Sequence, residues 1–161
     1  YKLDHCECGV CGEEHPACLD FHHVDDAEET KNVSALVNDG YGKARIRAEM
    51  GYCVVLCANC HRTEHYGADG GSDADRPSAS RRRAWTTQYK RESDGCRRCD
   101  EDRPACLDFH HPDAAEKTLS VAHLVARGRS LDEIRRETER CILLCANCHR
   151  VEHHDCPAST D

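Results

Sequence analysis

Cysteine pairs with metal-ligand spacing are the most chemically specific feature of this sequence. Each pair has two cysteines separated by two residues, and such a pair holds one side of a tetrahedral zinc ion. Two pairs give four thiolates, which saturate zinc and leave no position for water. The sequence therefore predicts two structural zinc sites, formed by Cys8, Cys11, Cys57 and Cys60 and by Cys96, Cys99, Cys145 and Cys148.

A second set of ligands lies among the histidines. His61 and His65 are four residues apart, so a helix that starts at the preceding cysteine pair places them on one face. With His22 from a strand, three neutral nitrogens would leave coordination positions free, as hydrolytic metal chemistry requires. His23 would then be available as a general base, since imidazole titrates near neutral pH. The alternative is that these histidines extend a purely structural zinc module.

The chain contains an internal repeat that supplies all of these ligands twice. Cys8 aligns with Cys96, an offset of 88 residues, and the alignment continues without a gap. More than half of the aligned positions are identical, which indicates a duplication. The second histidine set is therefore His110, His149 and His153, with His111 as the base. A unit of roughly 60 residues buries little apolar surface, and bound metals commonly compensate for this.

Composition excludes several other classes of protein. The 14 cysteines could belong to a secreted disulfide scaffold, but no signal peptide is visible and the cysteines have zinc spacing. No apolar run approaches the roughly 20 residues of a membrane span. We therefore expect a cytoplasmic (intracellular) protein with no membrane partner, and Tyr1 suggests that the start is incomplete. The net charge of −8 means that any phosphate-binding face has to be local, as in the basic cluster Arg81–Arg83.

Short strands and helices are predicted between the ligands. Leu19 to His23 alternates as a strand, and the apolar run Cys53 to Leu56 is predicted to be a buried strand. Two short helices are predicted between these strands in each unit, with Ser130 as a cap in the second unit. These helices span Val33–Asn38, Lys43–Met50, Val121–Ala126 and Leu131–Thr138.

The predicted fold class is small α+β, with two tandem zinc-stabilised domains. We place the first domain at residues 1–66 and the second at residues 89–155. Between them, residues 67–88 are rich in Gly, Asp, Ser, Ala and Pro and end in a basic segment, which is typical of a flexible linker. Residues 156–161 form a tail.

The pattern CxxC, LDFHH and CxxCH with a further histidine resembles the HNH endonuclease family, in its zinc-containing, treble-clef-like branch. The resemblance covers residues 8–65 and 96–153 and implies a ββα-metal core, in which a β-hairpin and a helix hold one divalent metal. It implies that His23 and His111 are the bases and that the residue before each is a metal ligand. His61 and His149 would be the helix ligands. His65 and His153 match the extra ligand of colicin-type members.

One position departs from the family motif. Where the family usually has its middle asparagine, this chain has Tyr52 and Arg140. The resemblance therefore does not identify the residue that orients the base.

The functional expectation is a metal-dependent endonuclease that hydrolyses DNA phosphodiester bonds. Each unit would hold one structural Zn²⁺ and one catalytic divalent ion such as Mg²⁺, Mn²⁺ or Zn²⁺, with no small-molecule cofactor. Phosphate contacts are expected from five arginines: Arg62, Arg150, Arg81, Arg82 and Arg83. Two alternatives stay open: a non-catalytic tandem zinc-finger module that binds DNA or protein, and a chain with one active unit and one DNA clamp.

Overall fold

The computed structural model describes residues 6–24, 31–67, 77–113 and 119–154 of the chain. It shows a small α+β protein that divides into two compact units, Tyr1–His61 and Arg62–Asp161. Each unit contains one two-stranded antiparallel sheet. No helix in the described ranges is both long and apolar enough to cross a membrane.

The order of elements is the same in the two repeats. The first five elements are β1 (Leu19–His23), α1 (Val33–Asn38), α2 (Lys43–Met50), β2 (Cys53–Cys57) and α3 (Ala58–Tyr66). A longer helix follows, α4 (Pro77–Arg91). The remaining elements are a 3-10 turn (Pro104–Cys106), β3 (Leu107–His110), α5 (Val121–Ala126), α6 (Leu131–Thr138), β4 (Ile142–Cys145) and α7 (Ala146–His153).

The hairpin β1–β2 brings the cysteine and histidine motifs of the first unit together. Its register pairs Leu19 with Cys57 and His23 with Cys53. Because side chains alternate along a strand, Asp20 and His22 share one face of β1 and His23 lies on the other. The apolar core at the start of this hairpin consists of Cys8, Cys18, Leu19, Leu56, Cys57 and Cys60. Three of the four cysteines of the predicted zinc site, Cys8, Cys57 and Cys60, are therefore also part of this small core.

The second hairpin repeats this arrangement and has a second apolar cluster beside it. The register pairs Leu107 with Cys145 and His110 with Ile142. The additional cluster contains Val121, Leu124 and Ile134, with Trp85 and Phe109 packed against it. The first unit has no counterpart of Trp85 within the described residues, because Trp85 belongs to α4.

The short helices between the strands confirm the predicted capping and termination. The Ser130 hydroxyl accepts a hydrogen bond from the Glu133 backbone N–H, and the Glu133 carboxylate accepts one from the Ser130 backbone. This reciprocal pair is a capping box. Helices α1 and α5 end before Gly40 and Gly128, whose φ angles are +74° and +69°. Glycine occupies this left-handed conformation without the steric cost that a Cβ atom would impose.

Helix α4 is an element that the sequence analysis did not predict. Proline can occupy the first position of a helix, where its missing N–H is not needed, and Pro77 does so here. The rest of the predicted linker, residues 68–76, lies outside the described residues, as does the predicted tail at 156–161. Through Trp85, α4 packs against the apolar cluster of Val121, Leu124 and Ile134 within the second unit.

Candidate metal centres

The four cysteines of each predicted zinc site converge in the structure. In each set, the four sulfur atoms lie within 4.8 Å of one another. The sets are Cys8, Cys11, Cys57 and Cys60, and Cys96, Cys99, Cys145 and Cys148. Four thiols at such separations fit a tetrahedral zinc ion, whose bonds to sulfur are about 2.3 Å long. Each set could therefore hold one structural zinc.

Backbone N–H groups prepare one thiol of each set for ionisation. Burial raises the pKa of the Cys8 thiol, but hydrogen bonds from the backbones of Cys57, Cys11 and Val10 outweigh it and lower the pKa to about 6. Cys96 has the same opposition of burial and backbone hydrogen bonds, one of them from Cys145 N–H at 3.1 Å, and its pKa falls to about 7. A metal binds the thiolate form, so these thiols are suited to bind first.

The other thiols resist ionisation until a cation is present. Burial, followed by the neighbouring sulfurs, raises the pKa of Cys60 and of Cys148 far above the usual range. Burial also raises the pKa of Cys99 to about 11. Four clustered thiols thus favour at most partial ionisation without a counter-charge. A divalent ion supplies that charge and would deprotonate the whole set.

The three histidines of each sequence repeat form a second kind of cluster. Their ligand nitrogens lie within 4.8 Å of one another, in the sets His22, His61 and His65 and His110, His149 and His153. The ring centroids of His22 and His61 are 4.9 Å apart, and those of His110 and His149 are 5.0 Å apart. The strand supplies the first ligand of each set, and successive turns of α3 or α7 supply the other two. Three converging imidazoles could hold a metal and leave coordination positions open.

The environment of His110 favours a neutral imidazole. Burial, followed by the nearby His149 and His153, lowers the pKa of His110. A neutral ring keeps a lone pair for a metal ion, whereas a protonated ring has none. His110 is buried, whereas His153, on the last turn of α7, is exposed.

Two aspartates that the sequence motifs did not point to lie beside the histidines His61 and His149 of the helices. The Asp20 carboxylate lies 3.3 Å from His61 Nδ1, and the Asp108 carboxylate lies 3.3 Å from His149 Nδ1. A carboxylate on one ring nitrogen fixes the tautomer and leaves Nε2 for the metal. Burial raises the pKa of Asp108, but hydrogen bonds from His149 and Arg62 outweigh it and lower the pKa to about 2. The carboxylate is therefore ionised under all ordinary conditions.

Each predicted base is hydrogen-bonded to a buried glutamate. His23 Nε2 lies 2.9 Å from Glu49 Oε1, and His111 Nε2 lies 2.7 Å from Glu137 Oε1. The hydrogen bond from His23, together with Arg45, lowers the pKa of the Glu49 carboxyl despite its burial. A carboxylate in this position restricts the orientation of the imidazole ring beside it. The signal available in the sequence was that Glu49 recurs as Glu137 in the repeat.

The two bases differ in their access to solvent. The side chain of His23 is 18% exposed, whereas that of His111 is 5% exposed. Cys141 Sγ also lies 3.5 Å from His111 Nε2. A water molecule can therefore approach His23 more easily than His111 in the structure as it stands.

The arginines that are predicted to contact phosphate differ in their surroundings. Within the second unit, the Arg62 guanidinium donates to Asp108 Oδ2 at 2.8 Å and so is already paired. Arg82 donates to the Arg129 carbonyl at 2.6 Å. Arg81 and Arg83 are exposed on α4, and Arg150 is half-buried beside His149. The exposed arginines are thus better placed for a ligand than Arg62.

Comparisons with known proteins give no family assignment. Neither a scan against protein-family models nor searches of curated proteins and of solved structures found a match to this chain. The function therefore has to be argued from the geometry of the sites.

Proposed function

We propose that the chain is a metal-dependent endonuclease of the HNH type that hydrolyses DNA phosphodiester bonds. The observation that supports this most is that the strand histidine of each three-histidine cluster is followed directly in the chain by a further histidine, which is held by a buried carboxylate. A purely structural zinc module has no need for a second, open ligand set or for an oriented base. The hairpin followed by a helix also agrees with the ββα arrangement that the sequence motif implies.

The histidine ligands would retain a metal without closing its coordination shell. Three neutral imidazoles hold a divalent ion while leaving space for a phosphate oxygen. A bound divalent metal such as Mg²⁺, Mn²⁺ or Zn²⁺ would stabilise the charge that develops on the phosphate oxygens during hydrolysis. Asp20 and Asp108 would keep the helix ligands in the metal-binding tautomer.

The base of each unit would be activated by its glutamate. When His23 Nε2–H donates to Glu49, Nδ1 remains as the acceptor for a proton from water. As water attacks phosphorus and the bond to the leaving oxygen breaks, the ring gains that proton and becomes positively charged. The buried carboxylate stabilises this charge, as a carboxylate does for the histidine of a catalytic triad. His111 and Glu137 would do the same in the second unit.

A plasmid-nicking assay with added Mg²⁺ or Mn²⁺ tests this proposal. We expect the His23→Ala, His111→Ala double variant to lose cleavage and the single variants to show what each unit contributes. His123→Ala is a matched control, since His123 is exposed on α5 and belongs to neither cluster. Cleavage by the double variant at the rate of the control would reject the assignment of the bases.

A second candidate function is a non-catalytic tandem zinc-binding module that binds DNA or protein. The burial of His111 supports it for the second unit. Metal analysis separates the two functions. One tightly held zinc per unit without a further divalent site would favour the binding module. A second, weaker and exchangeable ion per unit would favour the nuclease.

A further inference from the structure

A groove runs along α4 in the second unit and ends at the candidate metal centre. Its volume is about 510 Å³, within the roughly 300–1,000 Å³ typical of ligand pockets. The α4 groove, as we call it, is bounded on one side by Arg83, Thr86 and Lys90. Phe109, Val125 and His149 also line it. A ligand in this groove would therefore reach the metal ligand His149.

The α4 groove is lined by both polar and apolar side chains. The α4 residues in the lining supply the Arg83 guanidinium, the Lys90 amine and the Thr86 hydroxyl. Burial lowers the pKa of Lys90, and the nearby Asp108 carboxylate opposes this by favouring the charged form. The Lys90 ammonium lies 5.6 Å from the centroid of the Phe109 ring. The lining also contains that aromatic ring and apolar side chains such as Val121 and Val125. A phosphate joined to a planar base matches this combination, since cations bind the phosphate and aromatic rings stack on bases.

One carboxylate lines the groove, and its charge is compensated. Asp108 lies in the lining. It accepts a hydrogen bond from Arg62 at 2.8 Å and lies 3.3 Å from His149 Nδ1. These partners offset its negative charge, so the net charge around the groove remains positive.

The first unit has a corresponding cavity whose described lining lacks lysine and arginine side chains. A cavity of about 480 Å³ is lined there by Phe21, Val37 and His61, which are the repeat counterparts of Phe109, Val125 and His149. The described residues that line it include no lysine or arginine. The difference arises because α4 has no described counterpart in the first unit. Charge complementarity to a phosphate therefore distinguishes the second groove from the first.

We propose that the α4 groove is a nucleotide subsite for single-stranded DNA. An unpaired nucleotide next to the scissile phosphate places its phosphate between Arg83 and Lys90 and its base on Phe109 and Val125. A paired base is already stacked within its duplex and cannot enter the groove without unpairing, so the subsite favours single-stranded or flapped DNA in the second unit. The assignment of the scissile phosphate rests on the proposed nuclease function; binding of the nucleotide does not.

Fluorescence anisotropy with a fluorescein-labelled oligothymidine strand tests the proposal. The full chain carrying His23→Ala and His111→Ala serves as the parent, and no Mg²⁺ or Mn²⁺ is added. We expect Lys90→Ala to weaken binding of the strand by roughly 10-fold, because one charge-assisted phosphate contact is lost. The slope of log affinity against log salt should also fall by about 0.7.

A groove-filling pair of variants provides the matched control. Ala126 is exposed and lines the α4 groove, and its repeat counterpart Asn38 is exposed and lines the first cavity. We expect Ala126→Trp to weaken strand binding by roughly 10-fold or more through steric exclusion, whereas Asn38→Trp leaves it unchanged. Zinc content and circular dichroism confirm that each variant is folded.

Three results would overturn the subsite. They are no measurable strand binding by the parent, equal binding by the parent and both groove variants, and equal weakening by the Asn38→Trp control. An effect of Lys90→Ala on duplex of the same sequence as large as that on the single strand would overturn the preference for unpaired DNA. Plasmid nicking by the wild-type chain is measured separately. Its absence alongside groove-dependent strand binding would reject the nuclease and retain the subsite.

Discussion

The pairing of His111 with Glu137 leads to a quantitative prediction. Glu137→Gln keeps the size of the side chain and an oxygen that can accept from His111 Nε2, but it removes the negative charge. Glu137→Ala removes the acceptor as well. If the carboxylate stabilises the protonated ring during water attack, both changes slow the chemical step while leaving DNA binding nearly unchanged.

The magnitude follows from the geometry of this hydrogen bond. The 2.7 Å separation joins side chains that are 5% and 9% exposed, so water screens the interaction little. A hydrogen bond to a charged group contributes roughly 1.5–3 kcal/mol. At about 1.4 kcal/mol per tenfold change in rate, kcat should fall roughly 10-fold in Glu137→Gln and roughly 100-fold in Glu137→Ala.

The assay isolates the second unit by placing both variants in a His23→Ala background. Single-turnover nicking of a supercoiled plasmid reports the chemical step, and its dependence on protein concentration reports binding. Glu139→Gln is the matched control, since Glu139 is exposed at the end of the same helix. A rate for Glu137→Gln within twofold of this control, with zinc content retained, would refute the orienting role. A change confined to DNA affinity would refute it as well.

Three further predictions concern metals and stability. Cys145→Ser should lower tightly bound zinc from two ions per chain to one, measured by mass spectrometry, because one of the two four-cysteine sets is broken. The second unit should then unfold, since structural zinc supplies on the order of 10 kcal/mol. Asp20→Asn should weaken divalent-metal binding at the first histidine cluster by about 10- to 100-fold, because the carboxylate beside His61 is lost. A titration with Co²⁺ measures this change in affinity. Ser130→Ala should cost about 1 kcal/mol in thermal unfolding through loss of the capping box.

Each of these predictions has a contradicting result. Cys106 is fully buried outside the four-cysteine sets, so Cys106→Ala should retain both zinc ions. Equal zinc loss in Cys106→Ala and Cys145→Ser would show that the sets are misassigned. Unchanged Co²⁺ affinity in Asp20→Asn would show that Asp20 does not help His61 to bind a metal. An unfolding curve for Ser130→Ala that coincides with wild type would show that the cap adds nothing measurable.

The cysteine and histidine clusters and the short elements around them were predictable from sequence because spacing encodes them directly. The spacing of the CxxC pairs and the four-residue interval between histidines indicate which side chains can converge. The pattern occurs twice, at an offset of 88 residues. Helix α6 was predicted correctly from its cap at Ser130 and its acidic first turn. These signals are local in the chain.

The carboxylates that contact the histidines of the candidate site could not be predicted because these contacts depend on tertiary packing. Glu49 belongs to a helix whose other face is solvated, and only the fold brings it to His23, 26 residues away in sequence. Asp20 was visible as part of a strand, but its contact with His61 requires the register of the hairpin with α3. Helix α4 has no described repeat counterpart, and its low apolar content resembled that of a linker.

The adjacency of Cys60 and His61 makes the chemistry of each unit conditional on its scaffold. One short helix begins within the cysteine pair and carries two of the three histidines, the first directly after Cys60 and the second one turn further on. Oxidation or chelation that releases the thiolate-bound ion would also dismantle the neighbouring imidazole cluster. If the proposed nuclease function holds, loss of zinc or oxidation of the thiolates would abolish cleavage even with abundant Mg²⁺, and zinc would have to rebind before the second metal could.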